Sequence, residues 1–444
     1  MTFRIAMRRF TRAGLWLAAI TLAVPAHAAR VPIQFWHAMS GELGVEVQHL
    51  VDGFNASQDR YQVIAVNRGS YDQTMLAAIA AFRAGTPPDI VQVFDVGTAT
   101  MMSARGATVP VYALMQQQKQ PFATGLFIPA AASYYADAQG RLLSLPFNAS
   151  TPVLYYNKAM LARAGVTPPA SWAQMGAAGT RLLATGAKCG FSTGWPEWIQ
   201  FEQFAAWNGL PYASADNGYQ SFQGVHLLLQ APAFQKHLGD LAAWSRSGVF
   251  RYGGPESNAL PLFINQTCAM YLDSSSSMAA IAGGARFPWG IAPMPHAASV
   301  PGAPQNSLTG GASLWVMARV PADHLPGIAA FLHYLMSAPV QAQWARATGY
   351  VPVTRGGYDA LQASGYYRQN PGALVAVQEL SNKPPLAWTR GLRLGYLPQL
   401  RQIQRNALEA VLAGKQTPAA ALRQVVQQGD GLLQRFGETA GGER

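Results

Sequence analysis

The stretch that decides the fold runs from residue 31 to residue 97 and contains three apolar segments, VPIQFW (31–36), YQVIAV (61–66) and DIVQVFDV (89–96). Between these segments apolar residues recur at helical spacing, first at Leu43, Val47, Leu50, Val51 and Phe54 and then at Met75, Ile79 and Phe82. Each segment has the length of a strand, and each intervening stretch has one apolar stripe. The order strand, helix, strand, helix, strand predicts an α/β fold with a parallel sheet and helices on its faces.

Later segments predict a second lobe. The sequence LPFN (145–148) leads into PVLYYN (152–157), a proline-bounded strand that we interpret as leaving the first sheet and acting as a hinge. Further along, GGASLWV (310–316) starts another apolar strand, and residues 325–336 follow as an apolar helix. The chain of 444 residues also exceeds the roughly 250–300 residues that one hydrophobic core usually organises. We therefore expect two lobes joined by several crossings of the chain.

The first 28 residues have the features of a secretory signal peptide. Four arginines up to Arg12 precede an apolar run from Leu15 to Val24, and Pro25 is followed by the small-residue triplet Ala26-His27-Ala28. The apolar run is shorter than the ~20 residues that a membrane-spanning helix needs, which disfavours a membrane anchor. Cleavage after Ala28 predicts a periplasmic protein, and no cysteine lies near that point to carry a lipid.

Composition excludes several classes of function. Half of the residues are hydrophobic and only 12% are charged, which excludes a disordered chain. The net charge of +11 falls to +7 without the four leader arginines, and no run of Lys and Arg marks a nucleic-acid-binding surface. The histidines lack metal-ligand spacing, so neither a metal nor another cofactor is expected. Cys189 and Cys268 leave two alternatives open, a disulfide in an oxidising compartment or two separate buried thiols.

One motif raises the alternative of an enzyme. Residues 190–194 read GFSTG and match the G-x-S-x-G pattern of serine hydrolases. That pattern requires a buried strand directly before the serine and a helix directly after it. The preceding ATGAKC (184–189) is polar and contains glycine, and the chain has neither a Walker loop nor an H-E-x-x-H motif. The sequence therefore predicts a binding protein and not an enzyme.

Blocks of sequence spread along the chain resemble one family. FWHAMSGELG (35–44) together with GTATMM (97–102) resembles the periplasmic glycerol-3-phosphate-binding proteins of ABC importers. Three more blocks follow in the same order, AWNGLP (206–211), GGASLWVM (310–317) and GLRLG (391–395). The resemblance covers nearly the whole chain after the leader, which makes it far more specific than a single short motif.

The resemblance implies a two-lobed periplasmic binding protein fold of the maltose-binding-protein type, with hinge strands and a cleft between the lobes. The expected division is a signal peptide at 1–28, an N-terminal lobe of 29–147 and 307–348, and a C-terminal lobe of 148–306 and 349–444. Open α/β sheets bind ligands beyond the carboxyl ends of their strands, so the ligand is expected in the cleft. The implied function is capture of sn-glycerol-3-phosphate, and of related glycerophosphodiesters, for the importer.

The resemblance also implies the ligand contacts. Matched block by block, a tyrosine, an acid, two serines, a glycine, a second tyrosine and an arginine fall on Tyr71, Asp95, Ser150, Ser274, Gly311, Tyr350 and Arg401. A tryptophan pair that flanks the glycerol in the family corresponds to Trp195 and Trp198. Within the serine run 274–277, the sequence leaves open by one position which hydroxyl points inward. Taken singly, these residues have ordinary interpretations: a surface arginine, core tyrosines and tryptophans, turn serines, a bend glycine and a helix N-cap at Asp95.

The chemistry of these residues suits a phosphorylated polyol. The planar donor fork of Arg401 can meet two phosphate oxygens at once, hydroxyls complete a phosphate's shell, and Gly311 lets a backbone N–H approach closely. Asp95 ends the third strand and can accept hydrogen bonds from glycerol hydroxyls, although the family pattern has glutamate there. The shorter side chain leaves two alternatives open, contact with the hydroxyls through water or room for a larger headgroup. Glycerophosphocholine therefore stays an alternative ligand, as does an oligosaccharide packed on the aromatic wall.

The implied partners are the small ligand, the membrane subunits of the importer and their cytoplasmic ATPase. Both lobes are expected to contribute groups to one ligand, so that binding favours the closed form over the open form. The chain itself is expected to act as a monomer.

Overall fold

The computed structural model describes residue 2 and residues 29–440, so the predicted leader lies, apart from residue 2, outside the described residues. Within residues 29–440 eleven strands form two separate sheets. In chain order they are β1 (Val31–His37), β2 (Tyr61–Asn67), β3 (Ile90–Phe94), β4 (Thr108–Val109), β5 (Leu145–Ser150), β6 (Pro152–Asn157), β7 (Cys189–Thr193), β8 (Phe250–Tyr252), β9 (Cys268–Ser274), β10 (Trp289–Pro293) and β11 (Gly310–Met317).

The first sheet begins as the predicted parallel unit and ends as a mixed one. Its strand order is β2-β1-β3-β11-β4, and β5 also pairs with β11. β1 is parallel to β2 and β3, whereas β11 is antiparallel to β3, β4 and β5. All five residues of β3 are buried, as expected for a central strand covered on both faces. The prediction of an α/β fold is confirmed.

The second sheet has the order β10-β6-β9-β7-β8. β7 is parallel to β8 and β9, and β6 is antiparallel to β9 and β10. Cys189 and Cys268 open the neighbouring strands β7 and β9 directly opposite each other, and their sulfurs are bonded. The register of the sheet thus decides between the two alternatives that the sequence left open for the cysteines.

Nineteen α-helices lie within residues 29–440, besides three short 3₁₀ turns and one π-helical turn. The first ten are α1 (Gly41–Ser57), α2 (Tyr71–Arg83), α3 (Thr98–Ser103), α4 (Val111–Gln117), α5 (Pro129–Tyr135), α6 (Lys158–Ala164), α7 (Trp172–Ala184), α8 (Phe204–Trp207), α9 (Ser214–Gly218) and α10 (Pro232–Ser247). The other nine are α11 (Leu260–Ile264), α12 (Ser277–Gly284), α13 (Leu325–Leu335), α14 (Ala338–Thr348), α15 (Arg355–Ala363), α16 (Tyr366–Gln369), α17 (Pro371–Glu379), α18 (Leu397–Leu412) and α19 (Pro418–Ala440). None of these helices combines the length and the apolar character needed to cross a membrane.

Two crossings carry the chain between the sheets. β5 ends at Ser150 in the first sheet and β6 begins at Pro152 in the second, so Thr151 alone separates them. The other crossing runs from the end of β10 at Pro293 to the start of β11 at Gly310. Helices then pack on each sheet, with α2 against β3, α13 against β1, α7 against β7 and α17 against β10. The exact lobe boundaries near residues 147, 306 and 348 stay a prediction.

Candidate functional site

One cavity between the two sheets is lined by all nine residues that the sequence singled out. Asp95 directly follows β3, Ser150 and Ser274 are the last residues of β5 and β9, and Gly311 is the second residue of β11. The cavity, with an empty volume of about 410 Å³, therefore lies at the strand ends where an open α/β sheet binds its ligands. Three lining residues were missed from the sequence: Phe94, Ser276 and Gly310.

A chain of hydrogen bonds orients the Tyr71 hydroxyl. The backbone N–H of Ala38 donates to Gln92 Oε1 at 2.9 Å, Gln92 Nε2 donates to Asn148 Oδ1 at 2.9 Å, and Asn148 Nδ2 donates to the Tyr71 hydroxyl at 3.1 Å. The ring also stacks on Phe94, with centroids 5.3 Å apart. Burial raises the pKa of Tyr71 well above its ordinary value, so the phenol keeps its proton. The hydroxyl thus accepts from Asn148 and is also hydrogen-bonded with the Tyr350 hydroxyl, so the two phenols line the cavity as one unit.

The serine run presents two hydroxyls, not one. Ser274 and Ser276 both line the cavity, and their Oγ atoms lie 2.8 Å apart. Ser275 between them is turned away, with its Oγ buried and without a partner among the described residues. The Tyr155 hydroxyl contacts the backbone oxygens of Ser274 and Ser275, both at 2.9 Å, and so holds the loop in this arrangement.

Gly311 and Tyr350 close the wall beside the serines. Gly311 has a φ of +106°, and a Cβ built there would lie 2.0 Å from the carbonyl oxygen of Asn148. Only glycine fits this backbone, as the sequence-based interpretation of a close approach requires. Tyr350 is buried and stacks on Trp344 at a centroid distance of 5.7 Å.

The tryptophan pair forms a second wall of the cavity. Trp198 is buried and packs so closely on β11 that a Cβ on Gly310 would lie 2.4 Å from its Cζ2 atom. Trp195 is partly exposed, has a φ of +39°, and donates from Nε1 to Ser257 Oγ at 3.1 Å. A non-glycine residue in this conformation costs about 1–3 kcal/mol, which only surrounding contacts can offset. The rings present a rigid apolar face.

Arg401 differs from the sequence-based expectation, because its donor fork is already occupied. Nε donates to Glu202 Oε1 at 2.7 Å and Nη2 donates to Glu202 Oε2 at 2.8 Å. Nη2 also donates to Asp95 Oδ2 at 3.2 Å. Only Nη1 makes no hydrogen bond to another described residue. In this conformation the fork is not available for two phosphate oxygens. Glu202 was missed, and its one sequence signal is a lone acid in the apolar segment 198–204.

The three charged side chains lie deep in the protein. Burial raises the pKa of Asp95 and of Glu202, and Arg401 opposes both shifts. Burial by itself would lower the pKa of Arg401, but Glu202 and Asp95 raise it above its ordinary value. With both carboxylates ionised the group carries a net charge of −1. Asp95 is also not the helix N-cap of the ordinary interpretation, since it is the first residue of a short 3₁₀ turn and Phe94 precedes it as the cap.

Two helices begin beside the cavity. α2 starts at Tyr71, with Ser70 as its N-cap, and α12 starts at Ser277 directly after the serine loop. Helix N-termini carry partial positive charge and unpaired backbone N–H groups, both of which favour anions. The cavity thus combines groups of different chemistry. Its wall brings hydroxyls and helix N-termini together with the Arg401 Nη1 group, carboxylates and indole faces. An acid accompanies each helix N-terminus: Asp72 lies in the first turn of α2, where Arg401 opposes the rise that burial causes in its pKa, and Asp273 accepts from the Ser274 N–H and from Ser277 Oγ.

A wider outer cavity adjoins this one and shares Tyr71, Trp195, Ser276 and Tyr350 with it. It has an empty volume of about 930 Å³, and its lining includes the exposed carboxylates of Glu42 and Glu256 but no lysine or arginine. This space was not predicted from the sequence, because Glu42 lies in the first turn of α1 and Glu256 lies far along the chain, in the loop between β8 and α11.

The serine-hydrolase motif has no enzyme-like geometry. Ser192 lies inside β7, is fully buried, and donates from Oγ to the carbonyl oxygen of Arg251 at 2.6 Å. A nucleophilic serine of this pattern would stand exposed on a sharp turn between a strand and a helix.

Comparison with known proteins places this geometry in context. Residues 49–371 match the family described as bacterial extracellular solute-binding protein. The sn-glycerol-3-phosphate-binding periplasmic protein UgpB of Yersinia pseudotuberculosis serotype I is 45% identical over 423 residues, which cover 94% of this chain and 96% of the relative. UgpB of Salmonella paratyphi A is 44% identical over 433 residues, covering 96% of this chain and 98% of the relative.

Solved structures show the same fold. UgpB from Mycobacterium tuberculosis, in complex with glycerophosphocholine, has a TM-score of 0.76 at 23% identity and covers 91% of this chain and 98% of its own. The GacH receptor of Streptomyces glaucescens has a TM-score of 0.77 at 20% identity, with the same coverage of 91% and 98%. At this level of identity the likeness concerns the two-lobed, maltose-binding-protein-like architecture alone.

Proposed function

The chain belongs to the bacterial extracellular solute-binding proteins, and on that premise we propose that it captures sn-glycerol-3-phosphate in the periplasm for an ABC importer. Relatives 44–45% identical over nearly the full length carry that name. The chain performs no chemistry. Its task is to bind, close and deliver the ligand to the membrane subunits, and we propose that it does so as a monomer.

The observation that carries the proposal is the convergence of distant residues in one cavity. The residues implied by the family span positions 71 to 401, yet all of them line the same space. Their ordinary interpretations would scatter them over cores, turns and surfaces. The convergence supports the assignment of these residues as ligand contacts.

Charge decides the orientation of the ligand that we propose. A phosphate dianion is disfavoured beside Asp95 and Glu202, because Arg401 has no positive charge to spare for it. The phosphate would instead lie at the serine loop, where the Ser274 and Ser276 hydroxyls line the cavity and the N-termini of α2 and α12 favour an anion. Asp273 does not line the cavity, and its oxygens already accept from the Tyr271 hydroxyl, the Ser274 N–H and Ser277 Oγ.

The glycerol would lie beside Asp95 and Arg401. Its hydroxyls can donate to Asp95 and accept from Arg401 Nη1, while its C–H faces pack on Trp195 and Trp198. Burying a polyol this way leaves few of its polar atoms unpaired.

The two sheets both contribute to the cavity, and this supports closure on binding. Tyr71, Ser150 and Gly311 come from elements of the first sheet, whereas Trp198 and Ser274 come with the second. A ligand that touches both sides stabilises the closed form by the difference in contacts between the two forms. The closed form is then the one that docks on the membrane subunits.

Calorimetry and solution scattering test the proposal together. The mature protein is titrated with sn-glycerol-3-phosphate, inorganic phosphate and maltose, and its radius of gyration is measured with and without each compound. We expect tight binding of sn-glycerol-3-phosphate with a smaller radius of gyration. Binding of maltose alone, or binding without any change in the radius of gyration, would refute it.

The outer cavity favours a second candidate ligand, a glycerophosphodiester with a cationic headgroup such as glycerophosphocholine. A diester extends beyond its phosphate, and the outer cavity shares Tyr71, Trp195, Ser276 and Tyr350 with the inner one. Glu42, Glu256 and the Trp195 ring provide the carboxylates and aromatic face that quaternary ammonium groups prefer. Titration of glycerophosphocholine into wild type and into Glu256→Gln separates the candidates. A loss of affinity in the variant for the diester only supports this second ligand.

A further inference from the structure

Glu202 makes two hydrogen bonds to Arg401, although Asp95 alone would balance the charge of that arginine. Its two carboxylate oxygens receive Nε and Nη2 of the guanidinium at 2.7 Å and 2.8 Å, the parallel two-bond geometry that arginine and carboxylate prefer. Asp95 already supplies one negative charge to the same arginine at 3.2 Å. A second buried carboxylate therefore adds a net negative charge, which is unfavourable unless it has another role.

The structure around Glu202 is built to fix its position. Glu202 is 1% exposed and lies in the wide π-helical turn Trp198–Gln203. The next residue, Gln203, donates from Nε2 to the Leu308 carbonyl at 2.8 Å and accepts from the Leu308 N–H at 3.0 Å. The turn is thereby tied to the crossing that leads into β11. The same turn contains Trp198, so one short segment positions both a tryptophan of the aromatic wall and the carboxylate that binds Arg401.

The consequence is a choice of which donors face the ligand. With Nε and Nη2 taken, Arg401 can offer only Nη1 to the cavity. One guanidinium nitrogen is enough to donate a hydrogen bond to a hydroxyl oxygen. A phosphate is bound best when two guanidinium nitrogens donate to two of its oxygens. The two hydrogen bonds to Glu202 also fix the guanidinium beside Asp95.

We propose that Glu202 is a positioning residue that makes Arg401 recognise the glycerol end of the ligand and keeps it away from the phosphate. This inference rests on the proposed function and deepens it. It predicts that selectivity for a phosphorylated polyol over free phosphate depends on a carboxylate that does not line the cavity.

The binding test uses sn-glycerol-3-phosphate and inorganic phosphate as probes in calorimetry. In Glu202→Gln the amide keeps the shape but replaces one acceptor with a donor, so the fork is released. We expect the affinity for sn-glycerol-3-phosphate, divided by the affinity for inorganic phosphate, to fall by about tenfold, because the ligand loses about one hydrogen bond. The variant should bind inorganic phosphate as tightly as wild type or more tightly. In an Arg401→Lys background the same substitution should leave the ratio unchanged within about twofold.

A matched control is available on the same segment. Glu197 is 1% exposed and pairs with Arg405, which is partly exposed and does not line the cavity, so Glu197→Gln disturbs a neighbouring ion pair and leaves both hydrogen bonds between Glu202 and Arg401 in place. Its charge acts on Arg401 only as the last of several contributions, so that variant should change the ratio by no more than about twofold. If Glu202→Gln weakens both probes by the same factor, or acts equally in the Arg401→Lys background, Glu202 is only structural and the inference is overturned.

A second readout needs no ligand. NMR measures the hydrogen-exchange rate of arginine Nε–H groups, and the Arg401 signal is assigned by its loss in Arg401→Lys. We expect slow exchange in wild type and much faster exchange in Glu202→Gln. Equal exchange in both proteins would overturn the positioning role. If wild type binds neither probe, the proposed function fails, while this measurement still decides the role of Glu202.

Discussion

Replacing Ser150 with alanine should separate ligand binding from folding. Ser150 ends β5, is 3% exposed, and lines the cavity. Its Oγ makes no hydrogen bond to another residue in the described part of the chain, in contrast to most buried hydroxyls. The substitution Ser150→Ala therefore removes no intramolecular hydrogen bond and creates a void of only one oxygen atom.

The expected loss of affinity follows from the bond that the ligand would lose. A hydrogen bond to a charged group contributes about 1.5–3 kcal/mol. At about 1.4 kcal/mol per tenfold change, the dissociation constant for sn-glycerol-3-phosphate should rise roughly 10- to 140-fold. The free energy of unfolding should change by no more than about 0.5 kcal/mol, since no native contact is lost.

Ser144→Ala is the matched control on the same segment. Ser144 is fully buried, and its Oγ donates to Ser313 Oγ at 2.8 Å. Removing it leaves Ser313 unpaired and should lower the free energy of unfolding by about 1–3 kcal/mol, with affinity unchanged within about twofold. Calorimetry gives the affinities and urea unfolding gives the stabilities. The reasoning is refuted if Ser150→Ala binds like wild type, or if it loses as much stability as Ser144→Ala.

Three more predictions follow from contacts away from Ser150. Replacing Cys189 and Cys268 together with alanine removes a bond across 79 residues and should lower the free energy of unfolding by about 4 kcal/mol, measured in urea; an unchanged midpoint contradicts this. Burial raises the pKa of Glu379 to about 8, so the folded protein holds a proton that the unfolded chain releases near its ordinary pKa of 4.5. Stability should therefore fall by about 2–3 kcal/mol from about pH 6 to about pH 9, and this fall should vanish in Glu379→Gln; a rise over that range would show the sign to be wrong. Gly310→Ala should displace the Trp198 ring, which would lower the free energy of unfolding by about 1–3 kcal/mol and weaken ligand binding. Tryptophan fluorescence follows the ring, and a variant with the spectrum and affinity of wild type would rule out the close contact.

The expected effect of pH at Glu379 has a structural origin in the crossing between β10 and β11. Its carboxylate accepts from the Met294 N–H at 2.8 Å and from Ser307 Oγ at 3.3 Å, and its backbone oxygen accepts from the Ser307 N–H at 2.9 Å. Met294 and Ser307 both belong to the crossing between β10 and β11. An acid that is buried without a cation nearby holds its proton more tightly, because burial penalises the charged form.

Much of the fold could be predicted because the strands and helices follow from the local spacing of apolar residues. The segments at 31–36, 61–66, 152–157 and 310–316 lie within strands of the structure, and each differs from the observed bounds by at most one residue at either end. The third segment was predicted to extend to Val96, but β3 ends at Phe94. The chain turns there because Asp95 starts a 3₁₀ turn, which is also what brings its carboxylate to the cavity.

The sequence predicted which residues lie around the cavity, but it did not predict the hydrogen bonds between them. The family resemblance named residues that the structure brings into one cavity, and it left open which serine of the run points inward. The partner of Arg401 could not be predicted, because Glu202 lies 199 positions earlier in the chain and its segment has no charge pattern that marks a pair. The fork of Arg401 was accordingly assigned to the phosphate, whereas the structure gives it to Glu202.

The sequence by itself determined the order of strands and helices, and with it the edge of the sheets at which a ligand would be found. These features depend on the spacing of apolar residues over ten or twenty positions, and that spacing is fixed by the periods of strand and helix. Only the tertiary structure decided the pairing of Cys189 with Cys268, the Ser274 and Ser276 hydroxyls that face the cavity, and the grip of Glu202 on Arg401. Each of these depends on which distant segments pack together, because a buried polar group takes whatever partner the packing brings within reach.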